Sequence, residues 1–342
     1  IEDSMYCAME KNHIIGLIII VLILIGGGTW YLQSVQQSSS APIMDITIDP
    51  GHTAASTLLM VAKDQGYFAQ HGLNVTFKES PSGSVAIQDL LNHKSDFIYI
   101  HDYTLSDPGL YNKNLQVIGT LSESDTNYVV GRKDRGIFQI RDLEGKKIGV
   151  TKGSIGEYFM DRFFTLNGLS SENITIIYLQ PASLVNAVTG GDLDAAFTTE
   201  PYVYQMRQKM DENAAVWPVN LGQHAHYSLV SNEFFLKEHP EITERVLASV
   251  LQAETYVNSH PEEAKEVARK QTNFDHQYME KDWPNHHFTV ALSQSLITSM
   301  EDETRWRTRN NLTNATDVPD FSDFIYRDTL AKLKPNAVTL LY

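Results

Sequence analysis

The pattern of apolar and polar positions divides the chain into two unlike parts. Residues 14–32 form an uncharged apolar run, about the roughly 20 residues that a bilayer crossing needs. Lys11 precedes it, and Trp30 and Tyr31 close it in the manner of an interfacial aromatic anchor. Residues 33–43 are rich in Gln and Ser and show no apolar period, which predicts a tether. Beyond them the pattern changes to short elements. Residues 44–48 alternate as a strand, 57–70 carry apolar positions at helical spacing, and 73–78 read as a strand. A helix over 85–92 and a strand over 96–100 follow. Strand and helix in this alternation predict a parallel sheet with crossover helices.

The same pattern then restarts. Strands are expected over 146–151, 174–179 and 195–198, with helices over 155–167 and 184–189 between them. Two runs, 128–133 and 227–231, read as connections between the halves. Past Pro240 the sequence reads as helical, over 241–258, 262–271, 289–300 and 321–333. The expected fold class is therefore α/β with two lobes, each a mainly parallel sheet flanked by helices, with a helical C-terminal extension. The expected division is a short cytoplasmic segment (1–13), a membrane segment (14–32) and a tether (33–43). Residues 44–130 and 230–342 then build one lobe, and 131–229 the other.

Composition narrows the possibilities. A net charge of -15 repels phosphate backbones and argues against a nucleic-acid partner. The single cysteine, Cys7, lies before the apolar run. The body therefore has no disulfide, no Cys-bound zinc and no Cys nucleophile, which suits a prokaryotic surface or periplasm. No Cys follows the run to carry a lipid. The run either remains as an anchor or is cleaved as a signal segment near the small residues 38–41. Four Asn-x-Ser/Thr triplets, at Asn74, Asn173, Asn311 and Asn314, fit a glycosylated surface protein and also fit chance.

Candidate chemistry lies where strands end. Helix N-termini offer free N–H groups and a favourable dipole. Lys152-Gly153-Ser154 and Ser82-Gly83-Ser84 precede two of the expected helices, and simple capping by the serines is the competing reading. Side chains at strand C-termini point into the crevice of a parallel sheet. This singles out His52 and Thr53, then His101, Asp102 and Tyr103, then Glu200 and Tyr202. His224 and His226 share a strand face but have no placeable third ligand, so no metal is expected. No phosphate loop, nucleophile elbow, zincin or dinucleotide fingerprint occurs, and no catalytic residue or cofactor is expected.

The runs AKDQGYFAQHGLNV (62–75), DLEGKKIGVTKGS (142–154) and GGDLDAAFTTEPY (190–202) carry a resemblance, joined by FTVALSQSLITSMEDETRW and KPNAV near the end. They resemble substrate-binding proteins of ABC importers for nitrate, sulfonates, taurine and thiamine-pyrimidine precursors. The resemblance covers about 44–342. It implies a type II periplasmic-binding-protein fold that closes around a ligand between its lobes. It also implies that the Ser82–Ser84 and Lys152–Ser154 loops line that cleft. The expected partners are an ABC permease and its ATPase, and the expected state is a monomer that performs no catalysis. Thiamine-pyrimidine synthases resemble the same group but carry a Cys-rich iron motif, which this body lacks. A membrane-anchored sensor working through a separate transducer is the alternative. Asp102 and Glu200 favour a ligand that donates hydrogen bonds, and His52, Tyr103 and Tyr202 suit a flat ring. A nitrogen heterocycle is therefore expected before a sulfonate or nitrate.

Overall fold

The computed structural model describes residues 43–111 and 113–341. The apolar run, the segment before it and nearly all of the tether lie outside these residues. Among the described residues no helix is long and apolar enough to cross a membrane. From Met44 onward the chain forms one compact unit built on two sheets.

The first half follows the expected alternation. Strand β1 (Met44–Asp49) leads to helix α1 (Thr57–Asp64), β2 (Leu73–Phe77), α2 (Gly83–Leu91) and β3 (Phe97–His101). Gly66, at φ +71°, breaks the expected 57–70 helix into two pieces. The four-residue helix α3 (Asp102–Leu105) follows, and then β4 (Leu115–Ser124). The second sheet contains β5 (Asn127–Arg132), β6 (Lys147–Val150), β7 (Thr175–Tyr178), β8 (Ala195–Thr199) and β9 (Ala214–Pro218). Helices α4 (Ile155–Asn167), α5 (Pro181–Gly190) and α6 (Tyr202–Met210) connect its strands. The chain then returns to the first sheet as β10 (Ala225–Asn232). After it come α7 (Pro240–Ser259), α8 (Pro261–Thr272), α9 (His276–Asp282), β11 (His286–Ser293), α10 (Gln294–Arg309), α11 (Asp328–Leu333) and β12 (Val338–Thr339).

The first sheet runs β12-β11-β4-β10-β3-β1-β2 and the second β7-β6-β8-β5-β9. Each contains a parallel trio, β2-β1-β3 or β7-β6-β8. The expectation of mainly parallel sheets needs correction, because β10 and β5 pair antiparallel to both neighbours. These two strands hold the runs expected as connections. Each is instead a ladder strand of one sheet, and the chain passes between sheets at 125–126 and again over 219–224. The expected boundaries after 130 and 229 consequently fall inside β5 and β10.

Two helical expectations near the end are also corrected. Residues 286–293 form a strand on β4, and only from Gln294 does a helix run, to Arg309. Thr289 and Val290 are β-branched, suiting the pleat rather than a helix. Residues 321–333 break into a tight turn at Phe321–Phe324 and the short α11, because Ile325 bridges to Val117 on β4.

The core is layered accordingly. Ile48, Leu58, Leu59, Phe97 and Val250 belong to a large cluster around the first sheet. The second sheet buries Phe159, Phe163 and Phe197 on one face and Leu184, Val188 and Met206 on the other. Tyr103 and Trp306, from elements packed on the first sheet, join the Phe159 cluster. Hydrophobic packing therefore runs across the junction of the two halves.

Candidate functional site

The turn after β3 is organised by a buried charge. Asp102 is 0% exposed. Its Oδ1 accepts from the Tyr103 N–H at 2.8 Å and lies 2.7 Å from His101 Nδ1. Its Oδ2 accepts from the His226 N–H at 3.0 Å and lies 2.8 Å from His226 Nδ1. Burial alone would push this carboxyl up, but the flanking histidines outweigh it and hold the group well below the usual carboxylate range. Burial would likewise depress His226, and Asp102 beside it raises its pKa instead. Both Asp102 oxygens are occupied from within the chain, so the group positions β3 against β10. His224 turns away from its neighbour to Asp125, at 3.0 Å, and the two imidazoles serve different carboxylates.

The two Gly/Ser turns have their own internal bonds. Ser154 caps α4, accepting from the Glu157 N–H at 3.3 Å and donating to the Thr151 carbonyl at 2.6 Å. Gly153 adopts φ +67°, a conformation that favours glycine. Its N–H donates to Glu157 Oε2 at 2.6 Å, and its carbonyl accepts from the Tyr103 hydroxyl at 2.9 Å. Lys152 is exposed and sits 5.4 Å from the Tyr178 ring. Ser82 caps α2 through the Val85 N–H at 3.3 Å, Gly83 packs beside Thr104, and Ser84 is exposed. Thr53 caps the turn after β1. His52 is exposed, 3.1 Å from Glu79 Oε2 and edge-on to Phe274.

A third centre forms at the turn after β8. Glu200 accepts the Tyr204 N–H on Oε2 at 2.9 Å. Burial, with a smaller push from Asp282, raises its pKa to about 7, against the opposing Tyr204 N–H, Arg207 and Lys281. Tyr202 packs against the core beneath α5 and α6. Tyr204 is edge-on to Tyr278 at 5.3 Å and donates to Asp275 at 3.2 Å. The Tyr278 hydroxyl donates to Asp282 Oδ2 at 3.0 Å, and His286 Nε2 lies 3.0 Å from the same oxygen. Ser124, the last residue of β4, meets His286 Nδ1 at 2.7 Å.

The structure thus brings His101, Asp102, Tyr103, Gly153 and Ser154 to one side of the junction, with Glu200 beside Tyr204, Tyr278 and Asp282. Tyr278 and Asp282 were missed in the sequence because they lie far along the chain from Glu200, between the expected helices over 262–271 and 289–300. Arg307 was also missed. Its guanidinium stacks 3.9 Å over the Tyr103 ring and donates to the Tyr103 carbonyl at 2.6 Å. A separate groove of about 560 Å³, lined in part by Arg162, Leu166, Trp306 and Arg309, runs between α4 and α10.

A family model described as NMT1/THI5 like matches residues 53–264. By sequence, a candidate binding protein of Brucella abortus is 23% identical over 236 residues, 67% of this chain and 72% of the relative. A formylaminopyrimidine-binding protein of Halalkalibacterium halodurans is 22% identical over 273 residues, 76% of this chain and 78% of the relative. Among solved structures, the periplasmic aliphatic sulphonate binding protein SsuA from Escherichia coli superposes with TM-score 0.71 at 17% identity, covering 84% of this chain and 98% of that one. The desulfurization enzyme DSZB gives TM-score 0.64 at 12% identity, covering 86% and 99%. These likenesses give the fold, a two-lobed type II periplasmic-binding-protein fold, and that fold hosts both binders and an enzyme.

Proposed function

We propose a function from one premise: the chain belongs to the NMT1/THI5-like family. It is an extracytoplasmic solute-binding protein that captures a small polar molecule between its lobes and delivers it to the permease and ATPase of an ABC importer. It works without catalysis or cofactor, tethered at the membrane by residues 14–32. The two lobes swing about the crossings at 125–126 and 219–224, and the turns carrying His52, Ser82, Tyr103, Gly153 and Glu200 border the cargo. Asp102 acts in this reading as the buried anchor of its turn.

Glu200 is the observation that carries the reading. It stands at the C-terminal end of β8, the general ligand position in such sheets, and spends one oxygen on the Tyr204 N–H. A largely buried carboxylate among tyrosine rings suits a guest that donates hydrogen bonds. This favours a nitrogen heterocycle of the thiamine-pyrimidine type over a sulfonate or nitrate, and the formylaminopyrimidine-binding relative supports it. A thermal-shift panel of pyrimidines, sulfonates, nitrate and carboxylates tests the reading, since binding to the folded state alone raises its melting temperature. One class should stabilise the chain without turnover, and Glu200→Ala should reduce that shift. Turnover of any panel member would overturn the receptor reading.

A further inference from the structure

We propose that Asp282 is a cargo-binding carboxylate. With Glu200 it selects a small planar nitrogen compound whose N–H groups carry positive charge or acquire it on binding, an aminopyrimidine or an amidine. The inference rests on the solute-binding reading and extends it to a residue outside the matched segment, which ends at 264.

Asp282 closes α9 and is 2% exposed. Its two oxygens are treated differently. Oδ2 is saturated by the Tyr278 hydroxyl and His286, each at 3.0 Å. Oδ1 is equally buried and accepts nothing. A buried acceptor left unpaired on a charged group carries the full cost of losing its water. An aspartate serving only to hold Tyr278 and His286 needs no second open oxygen, so Oδ1 is explained by a donor that arrives from outside the chain.

The surroundings identify that donor. Tyr278, which holds Asp282, packs edge-on against Tyr204, and the Tyr204 N–H is bound by Glu200. One carboxylate from the C-terminal elements and one from the second sheet are thus held by neighbouring tyrosines, Asp282 by the Tyr278 hydroxyl and Glu200 by the Tyr204 N–H. Two cations lie nearby, Arg207 and Lys281. They sit 5.3 Å from the Tyr128 ring and 5.9 Å from the Tyr204 ring, and among the described residues neither forms an ion pair with Glu200 or Asp282. Burial raises the Tyr128 and Tyr227 phenols, and the charge of Asp282 adds to that rise. Aromatic rings beside two carboxylates favour a flat, donor-rich cation. An oxyanion would meet two like charges there.

The test is calorimetric titration of the purified full chain with 4-amino-5-hydroxymethyl-2-methylpyrimidine and benzamidine, against taurine and nitrate. The wild type should bind at least one nitrogen probe, and Asp282→Asn and Glu200→Gln should each weaken it about tenfold or more. If D282N binds the nitrogen probes like wild type while E200Q does not, the role of Asp282 falls and the receptor reading survives. Binding of taurine or nitrate with refusal of both nitrogen probes overturns the cargo class proposed here, and so does binding of no probe at all. Should D282N fail to fold, Asp282→Glu decides, because it keeps the charge and displaces Oδ1. A loss of about tenfold supports the proposal, and unchanged affinity overturns it.

Discussion

The Tyr103 hydroxyl donates to the Gly153 carbonyl at 2.9 Å, tying the turn after β3 to the turn before α4. The tie is reinforced from α10. Arg307 stacks on the Tyr103 ring, and Trp306 Nε1 donates to Asp161 on α4 at 2.8 Å. One flank of the junction is thus held by neutral and charge-assisted hydrogen bonds between the lobes. Glu200 and Asp282 belong to a separate set of contacts, through Tyr204 and Tyr278.

The Tyr103 bond should contribute to closure without supporting the fold. Tyr103→Phe keeps the ring beneath Arg307 and removes only the hydroxyl, about 1 kcal/mol for such a bond. Cargo affinity should fall a few-fold, while the ligand-free melting temperature changes little. Small-angle scattering should show a larger radius of gyration for the ligand-free variant. An unchanged affinity and radius would mean that this contact does not hold the lobes together.

Asp102 should behave in the opposite way, as a stability residue. Removing the carboxylate leaves His226 buried without its counter-charge, a loss of about 3–5 kcal/mol for a broken buried pair. The pH dependence follows from two opposite shifts. The folded carboxyl lies below its ordinary range, so its contribution is complete above that range and is lost as pH falls towards the folded value. His226 is raised, so its contribution is present below the ordinary histidine range and fades as pH rises through its folded value. Asp102→Asn should lower the melting temperature at neutral pH and flatten the acid limb of the stability profile. A melt equal to wild type at pH 7 would refute the anchor role.

Much of this was legible from local pattern. Helix α4 runs from Ile155 to Asn167, as its spacing predicts, because Ser154 and Gly168 mark its ends chemically. The three-strand trios were legible for the same reason. What escaped was set by distant partners. Residues 289–293 satisfy a helical period, yet β4 offers them a ladder, and pairing overrides a short local preference. Asp102 read as a carboxylate open to the ligand because its partner His226 lies 124 positions away. Asp282 and Glu200 share surroundings through Tyr204 and Tyr278 that no spacing announces. Turn chemistry is written locally, whereas a carboxylate's role depends on what folds over it.

Gly149 tests how tightly the second lobe is packed. It lies mid-strand in β6, and a Cβ there would come within 2.6 Å of Leu184 Cδ2, with Leu193 pressing from the same side. Both leucines are fully buried and have little room to retreat. Gly149→Ala should destabilise the chain by about 1–3 kcal/mol through overpacking, although alanine ordinarily suits a strand better than glycine. Adding Leu193→Val should recover part of the loss in a double-mutant melt. If the pair of changes is simply additive, the crowding is not between these side chains.

Glu200 should leave a signature in both stability and capture. Its pKa stands at about 7, raised first by burial and then by Asp282. A carboxyl whose folded pKa exceeds its unfolded one holds its proton more tightly when folded. Its contribution is therefore complete below the ordinary glutamate range and is lost as pH rises through about 7. Glu200→Gln is neutral at every pH and lacks that fall. Between pH 5 and pH 8 the wild type should lose more melting temperature than E200Q, with the difference concentrated below about 7. Capture should move the other way. A guest that donates to the ionised carboxylate is bound more tightly once Glu200 has lost its proton, so the ligand-induced shift of the wild type should grow from pH 5 to pH 8. The E200Q shift should stay flat for a probe that does not itself titrate in this window, such as benzamidine. Parallel melting profiles for the two proteins would show that Glu200 titrates as an ordinary surface carboxyl, and its place beside the cargo would then have to be abandoned.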